Sequence, residues 1–276
     1  MCLYPIRIIT HPKEGYSEPV TVKCGKCLEC QRQKSFEWAL RIMDECSVYE
    51  NNCFITLTYN NDNLPLNGCV SVREEQLFMK RLRKFLQPLK IRYFVSGEYG
   101  RKHLRPHYHF IIFNWKPNDL VFFKKEGNNN LYRSSIIERL WTKGFSSVGE
   151  VTFDTALYCA KYMQKQQFVE SGKHIDLTLP FIRMSNRPGI GASSVYNVDI
   201  DSLKCYRNGK SFPIPRYYEK VWERDLDVFS IPVFNEFDIQ DYKLRKRQYG
   251  EFMSKYVDLI AKRKKFYNKF CKIALL

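Results

Sequence analysis

The chain has 276 residues and 44% of them are hydrophobic, so it can bury a core and is not disordered as a whole. Its 45 lysines and arginines outnumber 29 acidic residues, and the formal net charge of +16 indicates an anionic partner. The 15% aromatic content favours nucleic acid as that partner. No apolar run is long enough to span a bilayer and no signal segment is visible, so we expect an intracellular protein without a membrane partner.

Three of the ten cysteines are spaced as Cys24-Gly-Lys-Cys27-Leu-Glu-Cys30. This spacing is typical of metal binding rather than of a disulfide framework. An iron–sulfur cluster is disfavoured, because Lys34 stands where the ferredoxin spacing places its fourth cysteine. We predict a structural zinc site with Cys2 as the fourth thiolate. Unligated thiols and redox chemistry remain the alternatives.

Hydrophobic periodicity predicts helices and strands that alternate through the middle of the chain. Helices are predicted over residues 36–49, 73–87, 136–141 and 153–166, and strands over residues 54–59, 91–95, 106–113 and 144–151. This order predicts an α+β fold, which is a mainly antiparallel sheet with helices packed on it.

Three regions follow from the change of pattern along the chain. Residues 1–50 hold the cysteine-rich segment and the first helix, and residues 51–170 form the core. Residues 171–276 form a basic C-terminal region in which the regular pattern weakens. Within it, residues 241–276 carry eleven lysines and arginines against three acidic residues, which indicates a basic helical tail.

Two histidines flank one residue in the predicted strand Pro106–Phe113. Because side chains alternate along a strand, His107 and His109 face the same side of the sheet. A hairpin would bring Glu98 beside them, on the same face if the register is favourable. Two imidazoles and one carboxylate with open positions form a metal site, although histidines in this pattern also bind phosphates or pack in cores.

The predicted hairpin loop is basic. Its cationic or titratable residues are Arg101, Lys102, His103 and Arg105. We predict that this loop binds DNA phosphates. His103 is also the rival third ligand for the metal, but binding a phosphate or being freely solvated is the more ordinary role for a histidine in a basic loop.

The predicted helix 153–166 carries two phenols and two amines on one face. Tyr158, Lys161, Tyr162 and Lys165 fall within an arc of about 100° at helical spacing. The alternative is that both rings merely pack and both lysines are solvated. A phenol has a pKa of about 10 and is a poor nucleophile, so attack on a phosphodiester needs a polarising cation. A divalent ion at the histidines supplies that polarisation, and Lys161 or Lys165 would lower the phenol pKa or stabilise the developing charge.

At these residues the chain resembles the HUH endonucleases, which carry two histidines around one residue on a strand and tyrosine beside lysine on a helix. The two tyrosines four residues apart resemble those of rolling-circle initiators in which the phenols alternate as nucleophile. The run Phe54-Ile-Thr-Leu-Thr-Tyr59 is similar to the first motif of that family. Tyr108 is less aliphatic than the usual residue between the histidines.

The nearest resemblance is to the replication initiators of small icosahedral single-stranded-DNA bacteriophages, the microviruses of gokushovirus type. It covers most of residues 1–191. The motifs that carry it are Cys2, Cys24-x-x-Cys27-x-x-Cys30, Gly97-Glu98-Tyr99-Gly100, His107-Tyr-His109, the double-tyrosine helix and Arg187-Pro-Gly-Ile-Gly191.

This resemblance implies a fold with an RRM or ferredoxin-like core and a nickase that uses Mg²⁺ or Mn²⁺, whereas the two imidazoles alone would equally suit zinc or iron. It implies nicking of single-stranded origin DNA through a 5′-phosphotyrosine intermediate, in the cytoplasm of the bacterial host. No nucleotide-binding Gly-x-x-x-x-Gly-Lys-Ser/Thr loop is visible, so unwinding would fall to a host helicase.

Two alternatives remain open from the sequence. A transposase or plasmid relaxase would use the same chemistry. A non-catalytic nucleic-acid-binding protein stabilised by zinc would explain the charge equally well, but it would leave the clustered tyrosines and lysines unexplained.

Overall fold

A computed structural model of the chain describes residues 2–10, 18–100, 103–127, 129–161, 177–195, 197–198, 204–207 and 209–229. The chain divides into two compact units, residues 1–194 and 195–276. The three functional regions drawn from the sequence stay a prediction. Across the described ranges, no helix has the length and apolar character needed to cross a membrane.

Helices and strands alternate through the first unit. Its strands are β1 (Ile6–Thr10), β2 (Glu18–Val22), β3 (Asn52–Tyr59), β4 (Arg92–Tyr99), β5 (Pro106–Phe113), β6 (Leu120–Glu126), β7 (Asn129–Ser134), β8 (Gly144–Gly149) and β9 (Phe181–Met184). Its helices are α1 (Leu28–Cys46), α2 (Val72–Phe85), α3 (Ser135–Leu140) and α4 (Phe153–Lys161), followed by a 3₁₀ turn at Ala192–Ser194. The second unit contains β10 (Lys204–Arg207), β11 (Lys210–Pro213) and α5 (Arg216–Phe229).

Seven strands form one sheet in the order β6-β7-β8-β3-β5-β4-β9. Every neighbouring pair in this sheet is antiparallel. Helices pack on the sheet, so the predicted α+β class is confirmed. Two separate hairpins, β1–β2 and β10–β11, lie outside this sheet.

One face of the sheet is covered by a hydrophobic core. Strand β3 alternates, so that Ile55 and Leu57 point into this core, where they meet Phe78 of α2 and Ile137 of α3. Helix α2 is capped at its start by Ser71, whose hydroxyl accepts a hydrogen bond from the Glu74 backbone N–H. This core holds β3, β5 and β4 in a fixed register.

The opposite face is covered along part of its length. Helices α1 and α4 pack over one end of the central strands, at Phe54, Phe94, Ile111 and Phe113. At the other end of the same face the residues are polar. They include Thr56, Thr58 and His109, which border an open cavity.

Helices α1 and α4 contact each other closely. The buried Ser35 hydroxyl of α1 donates a hydrogen bond to the Ala160 carbonyl of α4 at 3.3 Å. The rings of Phe36 and Phe153 lie 6.0 Å apart. Helix α1 begins at Leu28, whereas the sequence predicts a start at Phe36. The first two turns were missed because they are mostly polar and show no apolar periodicity.

Several elements lie outside the sequence prediction. They are β1, β2, β6, β7, β9, β10, β11 and α5. Most of these strands have four or five residues or expose both faces, so that they lack the alternation that identifies a strand. The predicted helix 153–166 is described as far as Lys161, and the predicted basic tail at 241–276 lies outside the described residues.

Candidate functional site

The register of β4 and β5 brings the predicted metal ligands together. His107 lies directly opposite Glu98, and His109 lies opposite Ser96. Oε1 of Glu98 lies 2.7 Å from Nε2 of His107 and 3.0 Å from Nε2 of His109. The three candidate ligand atoms lie within 4.8 Å of one another. The hairpin register therefore places Glu98 on the same face as the two histidines.

The second nitrogen of each imidazole is held by a neighbouring oxygen. Nδ1 of His107 lies 3.0 Å from the Arg105 carbonyl, and Nδ1 of His109 lies 3.0 Å from the Thr56 hydroxyl. Because a carbonyl oxygen can only accept, His107 carries its proton on Nδ1. Contacts of this kind fix the tautomer and ring orientation of histidines that bind metals through Nε2.

The chemistry of the donor set favours a cation between these groups. With Nδ1 of His107 protonated, a neutral imidazole leaves a bare lone pair on Nε2, which faces the Glu98 oxygen. Two acceptors can approach to 2.7 Å only when a proton or another cation lies between them. Glu98 is 1% exposed and His109 is 5% exposed. Burial raises the pKa of Glu98, but when protons fill the place of the cation, hydrogen bonds from the two Nε2–H groups outweigh burial and lower that pKa to about 2.

Helix α4 places one of the predicted tyrosines beside the histidines. The ring of Tyr158 lies 5.1 Å from that of His109 at an interplanar angle of 82°, and Tyr158 is exposed. The small residues Ala156 and Cys159 of the same helix are buried against the sheet. Of the two predicted tyrosines, Tyr158 lies within the described residues and beside the histidine cluster.

The other residues predicted on this helix are described in part. Lys161 is exposed at the end of α4. Tyr162 and Lys165 lie outside the described residues, so their place on the phenol face stays a prediction.

The predicted DNA-binding loop has a structural role at one position. The Arg105 guanidinium donates hydrogen bonds to the Tyr59 carbonyl at 2.9 Å and to Oδ1 of Asn61 at 2.6 Å. His103 is exposed, and it is not part of the described three-residue cluster. Arg101 and Lys102 lie outside the described residues. DNA binding by the loop stays a prediction.

The four predicted zinc ligands lie together at the start of α1. Sγ of Cys2 lies 3.5 Å from Sγ of Cys24 and 3.9 Å from Sγ of Cys27, and Sγ of Cys24 lies 4.0 Å from Sγ of Cys30. Four thiolates around a tetrahedral zinc, at a Zn–S distance of about 2.3 Å, are separated by about 3.8 Å. All four cysteines are free thiols that could act as ligands.

Backbone N–H groups point at the sulfur atoms, as they do where thiolates must be stabilised. Cys24 donates from its N–H to Cys2 Sγ at 3.3 Å, and Cys27 donates to Cys24 Sγ at 3.3 Å. Leu3 donates to Cys27 Sγ at 3.5 Å, and this bond and a backbone bond from Cys30 lower the pKa of Cys27 to about 6. Burial instead raises the pKa of Cys30 to about 12, which a bound cation would reverse.

A cavity of about 730 Å³ adjoins the histidine cluster on the partly covered face. Both His109 and Tyr158 line it, together with Phe123 of β6 and Phe145 of β8. Sequence reasoning missed Phe123 and Phe145, although the exposed run of large apolar residues at 121–123, followed by Lys-Lys-Glu-Gly, indicates a hairpin strand with an unpaired face.

Comparison with known proteins matches residues 52–167 to a family model of replication-associated proteins, whose description names the ORF2 protein. The chain is 32% identical over 232 residues to the replication-associated protein ORF2 of Spiroplasma virus 4, covering 78% of this chain and 72% of the relative. It is 30% identical over 246 residues to the replication-associated protein VP4 of Bdellovibrio phage phiMH2K, covering 84% and 75%.

A third relative is longer than this chain. The chain is 31% identical over 252 residues to the replication-associated protein ORF4 of Chlamydia phage 1, covering 86% of this chain and 61% of that relative. No solved structure matches the chain significantly.

Proposed function

The chain belongs to the replication-associated proteins of microvirus-like phages, and we propose that it initiates replication by nicking single-stranded origin DNA with a tyrosine. In this proposal it is an HUH endonuclease and strand transferase of rolling-circle replication. Its place in a phage replication family favours this role over that of a transposase or plasmid relaxase.

One observation carries the proposal: the Tyr158 ring packs against His109, which belongs to a cluster of two imidazoles and a carboxylate. A non-catalytic DNA-binding protein has no need of a half-exposed phenol beside such a cluster. The net charge of +16 supports a polyanionic substrate.

Glu98, His107 and His109 would hold one divalent cation, Mg²⁺ or Mn²⁺ by analogy with the HUH endonucleases. When bound, such an ion supplies Lewis-acid polarisation of a phosphate oxygen. Contacts of the two Nδ1 atoms with the Thr56 hydroxyl and the Arg105 carbonyl hold the rings so that both Nε2 atoms face the position of the cation.

Tyr158 attacks the scissile phosphorus with its hydroxyl oxygen. A tyrosine–phosphate bond forms as the phenol gives up its proton to solvent, the bond from phosphorus to the 3′ oxygen breaks, and the released 3′ oxygen takes up a proton from solvent, so that no net proton is consumed. Lys161, one turn along α4, stabilises the charge that develops on the phosphate. Since the 5′-phosphotyrosine link preserves the energy of the phosphodiester, a 3′-hydroxyl can reverse the step and rejoin ends. Tyr162 and Lys165 would serve the second cleavage.

The remaining assignments concern the surroundings of this site. Cys2, Cys24, Cys27 and Cys30 would bind a structural zinc that fixes the N-terminus at the start of α1. The loop residues Arg101, Lys102, His103 and Arg105 would contact DNA phosphates. The protein would act in the cytoplasm of the bacterial host with a host helicase to unwind the duplex.

A covalent adduct tests the nicking proposal. We expect the protein, incubated with 3′-end-labelled single-stranded origin DNA and Mn²⁺, to retain label through denaturing electrophoresis, because the 5′-phosphotyrosine link holds the fragment that carries the 3′ end. Replacing Tyr158 by Phe should lower the adduct by about half or more, since Tyr162 provides a second nucleophile, and replacing both should remove it. Tyr59→Phe is the matched control, because that phenol is buried on the other face of the sheet. An adduct that survives in the double variant would contradict the assignment of the nucleophile.

Thr56 tests the support of His109. Replacing Thr56 by Val removes the hydroxyl that lies 3.0 Å from Nδ1 of His109, and we expect the affinity for Mn²⁺ to fall by about 10-fold or more. Titration calorimetry measures this change. Thr58→Val is the control, since Thr58 lies on the same face opposite His107, whose ring nitrogens are held by Glu98 and the Arg105 carbonyl instead. Equal affinity in both variants would show that Thr56 does not orient the ligand.

A further inference from the structure

The row of residues that holds part of the metal cluster continues across the sheet. Glu98 pairs with His107, His107 pairs with Thr58, and Thr58 pairs with Phe145. Phe145 therefore lies two strands from His107, which is about 10 Å at the usual strand spacing. A group bound beside Phe145 would be a close neighbour of a group bound at the histidines.

Aromatic rings line the cavity that opens along this row. Phe54 forms part of its floor and stacks on His109 with ring centroids 5.6 Å apart and planes 10° from parallel. Phe123 and Phe145 line it as well, and they are 50% and 56% exposed. Large apolar side chains gathered around an open cavity indicate a ligand with flat apolar faces.

A β-bulge directs Phe123 into the cavity. Phe122 and Lys124 pair with successive residues of β7, so that Phe123 is an extra residue in β6. Such bulges re-aim a side chain relative to a regular strand. The Arg133 guanidinium lies 5.2 Å from the centre of the Phe123 ring and holds it in place by a cation–π contact.

The charge of the cavity differs from that of the whole chain. Its lining contains the carboxylates of Glu126, Glu150 and Asp154 against the cations of Lys124 and Arg133. Lys124 is paired with Glu126 at 3.0 Å, and Arg133 is paired with a glutamate outside the cavity at 2.6 Å. A phosphate would be repelled here, although the chain carries +16 overall. A neutral ring that donates hydrogen bonds would be favoured.

We propose that this cavity binds an unstacked nucleobase of the DNA strand whose phosphate lies at the histidine cluster. Phe123 and Phe145 stack on the base, and the carboxylates of Glu150 and Asp154 accept hydrogen bonds from its exocyclic amino group. The cavity therefore prefers cytosine to thymine, which presents a carbonyl where cytosine presents an amine. The inference rests on the proposed function, since it names the part of the DNA that the same site takes.

Binding without catalysis tests the stacking role. The full chain, without added Mg²⁺ or Mn²⁺ and without a chelator, is titrated against fluorescein-labelled oligo(dC), and the anisotropy is measured. Phe123→Ala and Phe145→Ala should each weaken binding by about 5-fold to 100-fold, the usual effect of losing one aromatic–base stack. Phe122→Ala is the matched control, because the Phe122 ring is similarly exposed but packs against Tyr132, away from the described cavity lining. It should bind like the unchanged chain.

The preference between bases tests the carboxylates. The unchanged chain should bind oligo(dC) about 5-fold more tightly than oligo(dT) of equal length. In the double variant Glu150→Gln with Asp154→Asn, the two affinities should become equal, because an amide can donate to the thymine carbonyl as well as accept from cytosine. Removal of two negative charges strengthens binding to both oligonucleotides, so the ratio of affinities is the informative quantity.

Two results would overturn the proposal: equal affinity for oligo(dC) in the Phe123, Phe145 and Phe122 variants, or no measurable binding of single-stranded DNA by the unchanged chain. Melting curves check that each variant is folded, as their exposed positions lead us to expect. The outcome is separable from that of the nicking proposal. If the Phe variants bind normally while the tyrosine adduct forms, only the base cavity is wrong, and if binding depends on Phe123 but no adduct forms, only the nicking proposal is wrong.

Discussion

Replacing both His107 and His109 by Ala is expected to remove divalent metal binding and to lower nicking by about 1,000-fold or more. The reason is that a phenol is a poor nucleophile, and polarisation by a metal ion is worth several kcal/mol in the transition state. Calorimetric titration with Mn²⁺ measures the first effect, and the rate of cleavage of labelled origin DNA measures the second. Nicking at the normal rate in this variant would contradict the assignment of the metal ligands.

The double variant also changes the electrostatics of the metal-free site, so a milder variant is needed. Glu98 is buried, and its low pKa depends on hydrogen bonds from the two histidines. Without them burial dominates, the pKa of Glu98 rises and the carboxyl loses its hydrogen bonds to the two histidines, which costs about 1–3 kcal/mol of folding stability. His107→Gln keeps a polar partner at the more accessible position and should lose metal binding while the protein stays folded. His103→Ala should leave metal affinity unchanged, which also tests the rival ligand.

The cluster of Glu98, His107 and His109 was predictable from the sequence because strand geometry is periodic. Residues two apart on a strand point to the same face, so placing His107 and His109 side by side needs no tertiary information. Placing Glu98 beside them required one further fact, the register of the hairpin. A slip of one residue would have put Glu98 on the opposite face of the sheet. The hydrophobic pattern on the other face fixes that register, since Tyr108 and Phe110 must both enter the core.

The cavity beside the cluster was not predictable in the same way. It exists because α1 and α4 pack over the end of the sheet where Phe54 and Ile111 lie and leave the polar end open. Which end a helix covers depends on loop lengths and on packing between the helices, and neither leaves a periodic signal in the sequence. Thr56 illustrates the same limit. It contacts His109 because β3 pairs with β5, and the sequence pattern does not reveal which strands are neighbours in the sheet.

The cysteine cluster is coupled to the tyrosine helix through α1. Cys27 immediately precedes α1 and Cys30 lies in its first turn. Further along α1, the buried Ser35 hydroxyl is hydrogen-bonded to the Ala160 carbonyl, close to Tyr158 on α4. The cysteines therefore fix the start of α1, and α4 packs against α1. A change at the cysteines should for this reason displace Tyr158 on α4.

Replacing Cys27 by Ser is therefore expected to remove bound zinc and to destabilise the first unit. Structural zinc sites in small domains contribute about 10–16 kcal/mol of apparent binding free energy, and loss of even a few kcal/mol lowers the melting temperature of a chain of this size by about 10 °C. Metal analysis of the purified protein should give one zinc for the unchanged chain and none for the variant. Calorimetry measures the change in melting temperature, and the yield of tyrosine adduct reports whether α4 is displaced.

Cys46→Ser is the matched control for this prediction, because Cys46 also belongs to α1 but packs against the core and is not part of the described cysteine cluster. Its replacement puts a hydroxyl in an apolar environment and should cost only about 1–3 kcal/mol, without loss of zinc. A chelator should reproduce the effect of Cys27→Ser in the unchanged chain and leave the Cys27→Ser protein unaffected. A purified chain that contains no zinc, and whose melting temperature a chelator does not alter, would mean that four thiols gather at the start of α1 without a metal. The N-terminus would then be held by the sulfur hydrogen bonds of Cys24, Cys27 and Leu3, and the coupling between α1 and α4 would rest on Ser35 and Phe36.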